Sequence, residues 1–443
     1  MMRKSHFSIQ NCLPTATPSV IPSPWKNPFT FATFALGCLI SSTLVFQFGV
    51  NVFFWDEWDL YLFFQALHEK EPLLPTLWQL HNEHRLVWVR LIFYALSKLP
   101  AFDLRYVMLL GQILMWATIF PIASMFGGKK NRMIIFHILL AIIFLSPIHQ
   151  TNQLWAFQIQ WYCLWFGLVY CTYFLTRSKL TWQRVILAIV SAGIAYLSTA
   201  AGLFVIFNGL ILLGLRQIEE KNHAKRLSIW AFVCLGTSLA YFAGYEKTDP
   251  GSIVTILANP IKFIVYALSL LGNLIGTKYI PVSAGIGGLG ILYTGYFFLK
   301  KKFQQQLFAF GLIQFGLMFM LAVTMGRLAM GIQHSLSSHY TLLTMSFWIG
   351  ILLLAQSYKK NLIFLSGFGL LLVITAHKSW GELQKSYSNR LRGAYCYHQV
   401  LNPSGPINPE VLPYRDCKFL FPDRHLVIKR VLQFRQLGIT LPP

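Results

Sequence analysis

The sequence predicts an all-α polytopic membrane protein, and three observations lead to that prediction. Hydrophobic residues make up 55% of the 443 residues and charged residues only 12%, about half the share that a soluble domain carries. The mean hydropathy is +0.52. Apolar runs of about 17–25 residues, the length that crosses a bilayer, recur along the chain, which has room for about 10–12 helices and a small tail.

The formal net charge of +22 has an ordinary explanation in this setting. Basic residues gather in short loops between the apolar runs, for example at 129–132 (KKNR) and 300–302 (KKK). Short loops rich in Lys and Arg mark the cytoplasmic side of a membrane protein. The charge therefore indicates orientation in a lipid bilayer, and we expect no nucleic-acid partner. An anionic lipid or a phosphate-bearing substrate is compatible with it.

We divide the chain into a cytoplasmic N-terminal tail, 1–28, a transmembrane domain, 29–377, and a small extracytoplasmic tail domain, 378–443. Residues 1–27 are polar and proline-rich, and the apolar run that follows is long enough to span a membrane. We therefore expect a retained first helix at 29–50. Later apolar runs lie at 86–99, 104–126, 132–148, 160–176, 185–200, 203–215, 227–244, 260–276, 284–299, 307–325, 340–356 and 361–377.

The loop between the first two apolar runs, 51–84, is too long and too polar for a simple turn. It contains helical stretches near 60–67 and 73–80 with interleaved aromatic residues, a mixture typical of helices that lie at the membrane interface. A cytoplasmic N-terminus places this loop outside, together with the tail. The scheme requires that two segments, near 86–99 and 260–276, do not cross the bilayer fully.

Six of the chain's 15 acidic residues fall in the 51–84 loop: Asp56, Glu57, Asp59, Glu69, Glu71 and Glu83. Carboxylates near a bilayer are costly and usually functional. Asp56 or Glu57 could take a proton from an attacking hydroxyl, and we favour Asp56 slightly. Asp56, Asp59 and His84 are candidate ligands of a divalent cation, Mg²⁺ or Mn²⁺. The alternative is a helix N-terminus with Asp56 as N-cap.

The loop ends in the sequence HNEHR, residues 81–85. If a helix begins here, His81, His84 and Arg85 share one face at i, i+3 and i+4. Arg binds phosphate in a bidentate manner, and His contacts phosphate or a metal. We expect His81, Glu83, His84 and Arg85 to bind substrate. The alternative is an interfacial helix start whose Arg reaches back to the membrane surface.

Two later clusters carry further candidates for substrate binding. Gln153, Trp155 and Gln158 lie in a stretch of uncharged amides and indoles, which suits a sugar because aromatic rings cover its apolar faces and amides reach its hydroxyls. The second cluster, at 326–340, could clamp a lipid phosphate, and its candidates are Arg327, His334, His339 and Tyr340. Both clusters also suit simple anchoring at the membrane interface.

Two of the seven cysteines, Cys396 and Cys417, lie in the polar tail. Disulfides form in oxidising compartments. Since we place the tail outside the cytoplasm, we expect these two residues to pair.

The chain resembles the GT-C superfamily of membrane glycosyltransferases, in particular bacterial members of uncharacterised specificity. The resemblance is carried by residues 55–58 (WDEW), 81–85 (HNEHR), 152–161, 197–203 (LSTAAGL) and 326–340. In the last stretch the chain departs from the Arg-Tyr pair expected there, because His339 stands in place of the Arg.

The resemblance implies a GT-C-like helical bundle with interfacial helices in the first extracytoplasmic loop. It implies a polyprenyl-phosphate-linked sugar as donor, a glycan, lipid or protein as acceptor, and Asp56 or Glu57 as the base, with inversion at the sugar. Some members use a divalent metal. The implied location is a bacterial inner membrane with a periplasmic active face, where the product is a cell-envelope glycan.

Other functions stay open, namely a multispan transporter, a lipid-linked-glycan flippase and a polysaccharide polymerase or ligase. A transporter should place ionisable residues at mid-membrane in broken helices, and only the glycine-rich stretch at 285–290 favours that arrangement. A polymerase or ligase should rely on a large later loop, whereas the acids here lie in the first loop.

Overall fold

The structure, a computed structural model, describes residues 27–99, 102–127, 130–216, 222–245, 256, 258–276, 279–299, 306–355 and 362–442. The described residues form helices and turns and contain no strand. Of the predicted cytoplasmic tail, 1–28, residues 1–26 lie outside the part of the chain that the structure describes.

The helices are numbered here in chain order. They are α1 Pro28–Phe48, α2 Leu60–His68, α3 Leu73–Trp78, α4 Val87–Leu96, α5 Arg105–Ala117, α6 Ile119–Ser124, α7 Lys130–Leu145, α8 Gln150–Gln153, α9 Ile159–Leu175, α10 Trp182–Tyr196, α11 Gly202–Leu215, α12 His223–Phe242, α13 Pro260–Gly272, α14 Ile280–Leu299, α15 Leu307–Arg327, α16 Thr341–Ala355, α17 Leu362–Leu401 and α18 Arg424–Gln436.

Six helical segments among the described residues are long and apolar enough to cross a membrane. They are Pro28–Phe48, Arg105–Ser124, Arg132–Gln153, Ile280–Leu299, Leu307–Met330 and Ser338–Ala355. The chain is therefore compatible with a multi-pass membrane protein. The short segments α4 and α13 have 10 and 13 residues. At 1.5 Å per residue they reach about 15 and 20 Å, less than the roughly 30 Å hydrocarbon core. The apolar helices α10 and α11, with 15 and 14 residues, are also short.

Helices α13 and α14 pack closely through small residues. A Cβ atom on Gly272 would lie 1.9 Å from the Ser283 carbonyl oxygen, and one on Gly287 would lie 2.0 Å from the Leu268 carbonyl oxygen. Close backbone approach through glycines is how helices associate in a lipid environment. Helix α14 runs unbroken through its glycine-rich stretch, so these glycines form a contact surface and not the break that a transporter would use.

The first loop forms the two expected short helices, α2 and α3. No helix begins at residues 81–85, so His81, His84 and Arg85 do not share a helix face. The backbone N–H of His81 donates to the His84 carbonyl at 2.8 Å, and the reverse bond is 2.9 Å long. Asn82 adopts a positive φ of 51°, which Asn tolerates better than most residues. The result is a tight turn, and α4 begins only at Val87.

The domain boundary predicted between 377 and 378 falls inside α17. This helix has 40 residues and a length of about 60 Å, so it continues well beyond the length of a single membrane span. The last helix, α18, then packs back against the first loop. The Phe434 ring stacks on Phe53 at 4.6 Å and meets the Trp58 and Tyr61 rings at 6.3 and 5.7 Å. Tail and first loop therefore share one core.

We predict that Phe434→Ala destabilises the protein by roughly 3–5 kcal/mol, because truncating a buried aromatic leaves a cavity. Thermal unfolding of the purified protein in detergent should show a clear fall in Tm. Leu432→Ala on the same helix is the matched control, since Leu432 is largely exposed, and its Tm should stay close to that of the wild type. Equal Tm values for both variants would contradict a core shared by tail and loop.

Candidate functional site

The acidic motif of the first loop is a 3-10 turn, Trp55–Asp59, that is fixed from both sides by hydrogen bonds. Glu57 is only 1% exposed. One of its carboxyl oxygens accepts the Phe54 N–H at 2.7 Å, and the other accepts the Phe157 N–H at 2.9 Å. The Trp55 N–H donates to the Leu420 carbonyl at 2.9 Å. The turn is thus attached to the segment before α9 and to the tail.

Arg390 of α17 completes this attachment. Its guanidinium lies 4.2 Å from the centre of the Phe54 ring and donates to the Leu154 carbonyl. Burial raises the pKa of Glu57 to about 8, although the two backbone N–H groups and Arg390 oppose the rise. Both oxygens of Glu57 are engaged with backbone groups, so the geometry gives Glu57 a positioning role and does not favour it as the base.

Asp56 points in the other direction, towards the charged groups of the loop. It is half-buried, and it lies near His81, Asp59, Glu83 and Arg327. Burial raises its pKa, and the neighbouring carboxylates add to this effect, whereas His81 and Arg327 oppose it. A partly exposed carboxylate with a raised pKa is suited to accept a proton.

The turn at residues 81–85 presents two imidazoles in different environments. His81 Nδ1 lies 4.0 Å from the Asp59 carboxylate, and its Nε2 is buried without a hydrogen-bond partner. His84 Nδ1 lies 3.4 Å from both the Thr199 hydroxyl and the Ala200 N–H, at the start of α11.

Burial lowers the pKa of His84 to about 4, an effect that Arg327 and His81 strengthen and Glu83 opposes. The ring is therefore neutral near pH 7. A neutral His84 would not contribute a positive charge to a bound phosphate. A neutral imidazole can still donate or accept one hydrogen bond.

Two sequence clusters that are far apart meet through an ion pair. The Arg327 guanidinium at the end of α15 pairs with the Glu83 carboxylate, and both side chains are partly exposed. The backbone carbonyl of Glu83 also accepts the Tyr241 hydroxyl at 2.8 Å. The pair brings the only guanidinium of the 326–340 segment close to Asp56.

The rest of the 326–340 segment lines the same region with aromatic side chains. The His334 ring lies 5.9 Å from His339 and 5.5 Å from Tyr340, and its Nδ1 is 3.2 Å from the Tyr266 hydroxyl. His339 Nδ1 is 2.8 Å from the Ser337 hydroxyl. Burial lowers the pKa of His334, and Arg327 lowers it further. Arg327, His334, His339 and Tyr340 are thus brought together as predicted, with Tyr266 as a partner that no sequence motif indicated.

The side chains of the uncharged cluster near residue 155, where a sugar site is predicted, are buried. Gln153 donates to the Phe144 carbonyl at 3.2 Å, and the Trp155 indole N–H donates to the Phe54 carbonyl at 3.0 Å. Gln158 is buried. Asn152 donates to the carbonyls of Ser338 and His339, at 3.1 and 3.2 Å. Gln153, Trp155 and Asn152 therefore hold neighbouring backbone segments in place, whereas the buried Oε1 of Gln158 has no hydrogen-bond partner.

Arg85 is also a structural residue and not the predicted substrate contact. It is 4% exposed and donates to the carbonyls of Trp78, Tyr241 and Ala243. Its guanidinium lies 4.8 Å from the centre of the Trp78 ring. The sequence pattern could not separate Arg85 from Arg327, because each lies in a polar segment that also contains histidines.

The candidate metal ligands are not gathered into one set. Among the described residues, no group of three or more His, Cys, Asp or Glu side chains is placed to hold a metal ion. His84 faces Thr199 and Ala200, whereas Asp59 is exposed beside His81. The structure therefore does not form the predicted three-residue site from Asp56, Asp59 and His84 for Mg²⁺ or Mn²⁺.

The two tail cysteines, Cys396 and Cys417, form the expected disulfide, with their Cα atoms 5.4 Å apart. Beside it, Arg392 of α17 forms a two-bond ion pair with Asp416 at 3.0 Å. Both links connect α17 to the turn Tyr414–Phe419. Because the adjoining Leu420 carbonyl accepts the Trp55 N–H, the tail is tied directly to the acidic turn.

Comparison of the chain with protein-family models, with curated proteins and with solved structures finds no match.

We predict that Arg85→Lys lowers the Tm of the purified protein by several degrees, because Lys cannot supply the forked donors that reach three carbonyls. Arg327→Lys is the matched comparison. Its partly exposed ion pair contributes only about 0–1 kcal/mol, so this Tm should change little. A larger loss of stability in Arg327→Lys would contradict the structural role of Arg85.

A second prediction follows from the buried Glu57. Its pKa is about 8 in the folded chain and 4.5 without that environment, so only the unfolded state loses this proton between those values. Stability should therefore fall as the pH rises through that window. Glu57→Gln cannot titrate, so Tm profiles from pH 4.5 to pH 8 should show a smaller fall for the variant. Parallel profiles would show that Glu57 does not titrate there.

Proposed function

We propose that the protein is a GT-C-like membrane glycosyltransferase that uses a polyprenyl-phosphate-linked sugar. Its acceptor is a glycan, a lipid or a protein, and its proposed location is a bacterial inner membrane with the active face on the periplasmic side. The single observation that carries the proposal is the position of Asp56, a half-buried carboxylate beside the Glu83–Arg327 pair on the loop between two candidate spans.

In the proposed step, Asp56 accepts the proton of the acceptor hydroxyl as the oxygen attacks the anomeric carbon of the sugar. The bond between that carbon and the phosphate oxygen breaks, and polyprenyl phosphate leaves with its electron pair. The raised pKa of Asp56 makes it a better proton acceptor than an ordinary solvent-exposed carboxylate.

Arg327 supports the proposal as the cation that would meet the leaving phosphate. Its guanidinium is partly exposed and is already oriented by Glu83. Donors that are fixed before the reaction stabilise developing charge without having to reorganise. Glu83 would then orient Arg327, and His81 would sit next to the base.

The distribution of carboxylates favours an enzyme at a membrane surface over a transporter or flippase. None of the six candidate spans contains Asp or Glu, whereas a transporter would place ionisable groups at mid-membrane. The acids gather instead on the first loop, which also disfavours a polymerase or ligase that relies on a later loop.

We predict that Asp56→Asn lowers sugar transfer at least a hundredfold, since general-base catalysis contributes about 10²–10⁴-fold. The assay measures transfer from a panel of polyprenyl-phosphate-linked sugars to membrane acceptors. Glu71→Gln is the control because Glu71 is an exposed carboxyl of the same loop, and its rate should match that of the wild type. Full transfer by Asp56→Asn, with normal amounts of protein in the membrane, would refute the assignment.

A further inference from the structure

A second candidate site adjoins the acidic turn but does not contain Asp56. A cavity of about 330 Å³ lies between α17 and the turn Tyr414–Phe419, and the Phe54 and Phe419 rings form part of its wall. Neither the proposed base nor Arg327 lines this cavity. It therefore needs an explanation of its own.

The charged side chains that line this cavity are three cations and one carboxylate. Lys385 and Arg390 approach it from α17, and Lys418 approaches it from the Tyr414–Phe419 turn. Glu382 is the one carboxylate among its lining residues. Both lysines are exposed, so their flexible side chains can move towards a bound group. Three cations around one small cavity favour an anion.

Arg390 is the buried anchor of the cavity. It is 4% exposed, and burial lowers its pKa to about 10, which leaves it charged near neutral pH. One nitrogen of its guanidinium donates to the Leu154 carbonyl, but its buried Nε has no hydrogen-bond partner. A buried donor without an acceptor is costly and rare in folded proteins. An anion in the cavity would place a negative charge beside the Arg390 guanidinium and the two lysines.

The position along α17 places the cavity near a membrane surface. Its α17 residues lie between 382 and 390, about 30–42 Å from the helix start at 1.5 Å per residue. The hydrocarbon core of a bilayer is roughly 30 Å thick. The start of α17 is apolar but is not one of the six candidate spans. If this part of α17 lies in the bilayer, the cavity is at headgroup level. The exposed Trp380, just before it, is a residue typical of that level.

We propose that this cavity binds a phosphate group, with Arg390 as its fixed anchor and with Lys385 and Lys418 closing over it. The phosphate is either the headgroup of an anionic phospholipid or a soluble phosphate. This proposal stands independently of the glycosyltransferase proposal, because it involves none of the residues assigned to sugar transfer and its test measures binding.

The test compares the full chain with the double variant Lys385→Gln/Lys418→Gln in nanodiscs. The first arm titrates inorganic phosphate into phosphatidylcholine nanodiscs and measures the dissociation constant. The second arm counts phosphatidylglycerol molecules retained by the protein, using native mass spectrometry after release from mixed nanodiscs. Arg415→Gln/Lys429→Gln is the matched control, since it removes two exposed positive charges of the tail outside the cavity.

Binding of phosphate that is weakened about tenfold in the cavity variant, and unchanged in the control, would support a soluble phosphate as ligand. Loss of retained phosphatidylglycerol in the cavity variant alone would support a lipid headgroup. If the cavity variant matches the wild type in both arms, or if the control variant loses as much binding, the proposal is wrong. Circular dichroism of both variants checks that the helices are intact.

Discussion

The buried carboxyl group of Glu57 is the constraint on which the candidate site depends. It accepts backbone N–H groups from Phe54 and from Phe157, about a hundred residues apart in sequence, and therefore fixes the acidic turn to the segment before α9. Arg390 adds a third element by lying over Phe54. Removing a carboxyl group from water is costly, and these paired contacts offset part of that cost. Once Glu57 is held inside, its neighbour Asp56 faces the loop and its charged groups.

The electrostatics of the site follow from partial burial. Burial raises the pKa of Asp56 and lowers that of His84, so each group is shifted towards its neutral form. The ion pair between Glu83 and Arg327 supplies the opposite charges that make a buried cluster tolerable. The site therefore combines one carboxylate with raised basicity, neutral imidazoles and a single oriented cation. That combination suits a proton-accepting step beside a negatively charged leaving group.

The tail has a larger part in this arrangement than a separate small domain would have. Helix α17 continues from the apolar bundle into the tail. The Cys396–Cys417 disulfide then links the Tyr414–Phe419 turn to this helix. Phe434 then packs among the aromatic rings of the first loop. The Leu420 carbonyl accepts a hydrogen bond from the Trp55 N–H, so the tail is joined directly to the acidic turn. The cavity proposed to bind phosphate lies at this junction, because α17, Phe54 and the Tyr414–Phe419 turn all line it.

Composition and periodicity determined the helical class, the two short helices α2 and α3 and the concentration of acids, because these properties depend on neighbouring residues. The sequence also indicated that Arg327, His334 and His339 belong together. It could not decide which side chains face inwards. Arg85 and Arg327 cannot be distinguished by residue type alone. In the structure, Arg85 donates hydrogen bonds to three carbonyls, whereas Arg327 forms an ion pair with Glu83. Those roles depend on contacts between distant segments, so only the tertiary structure decided them.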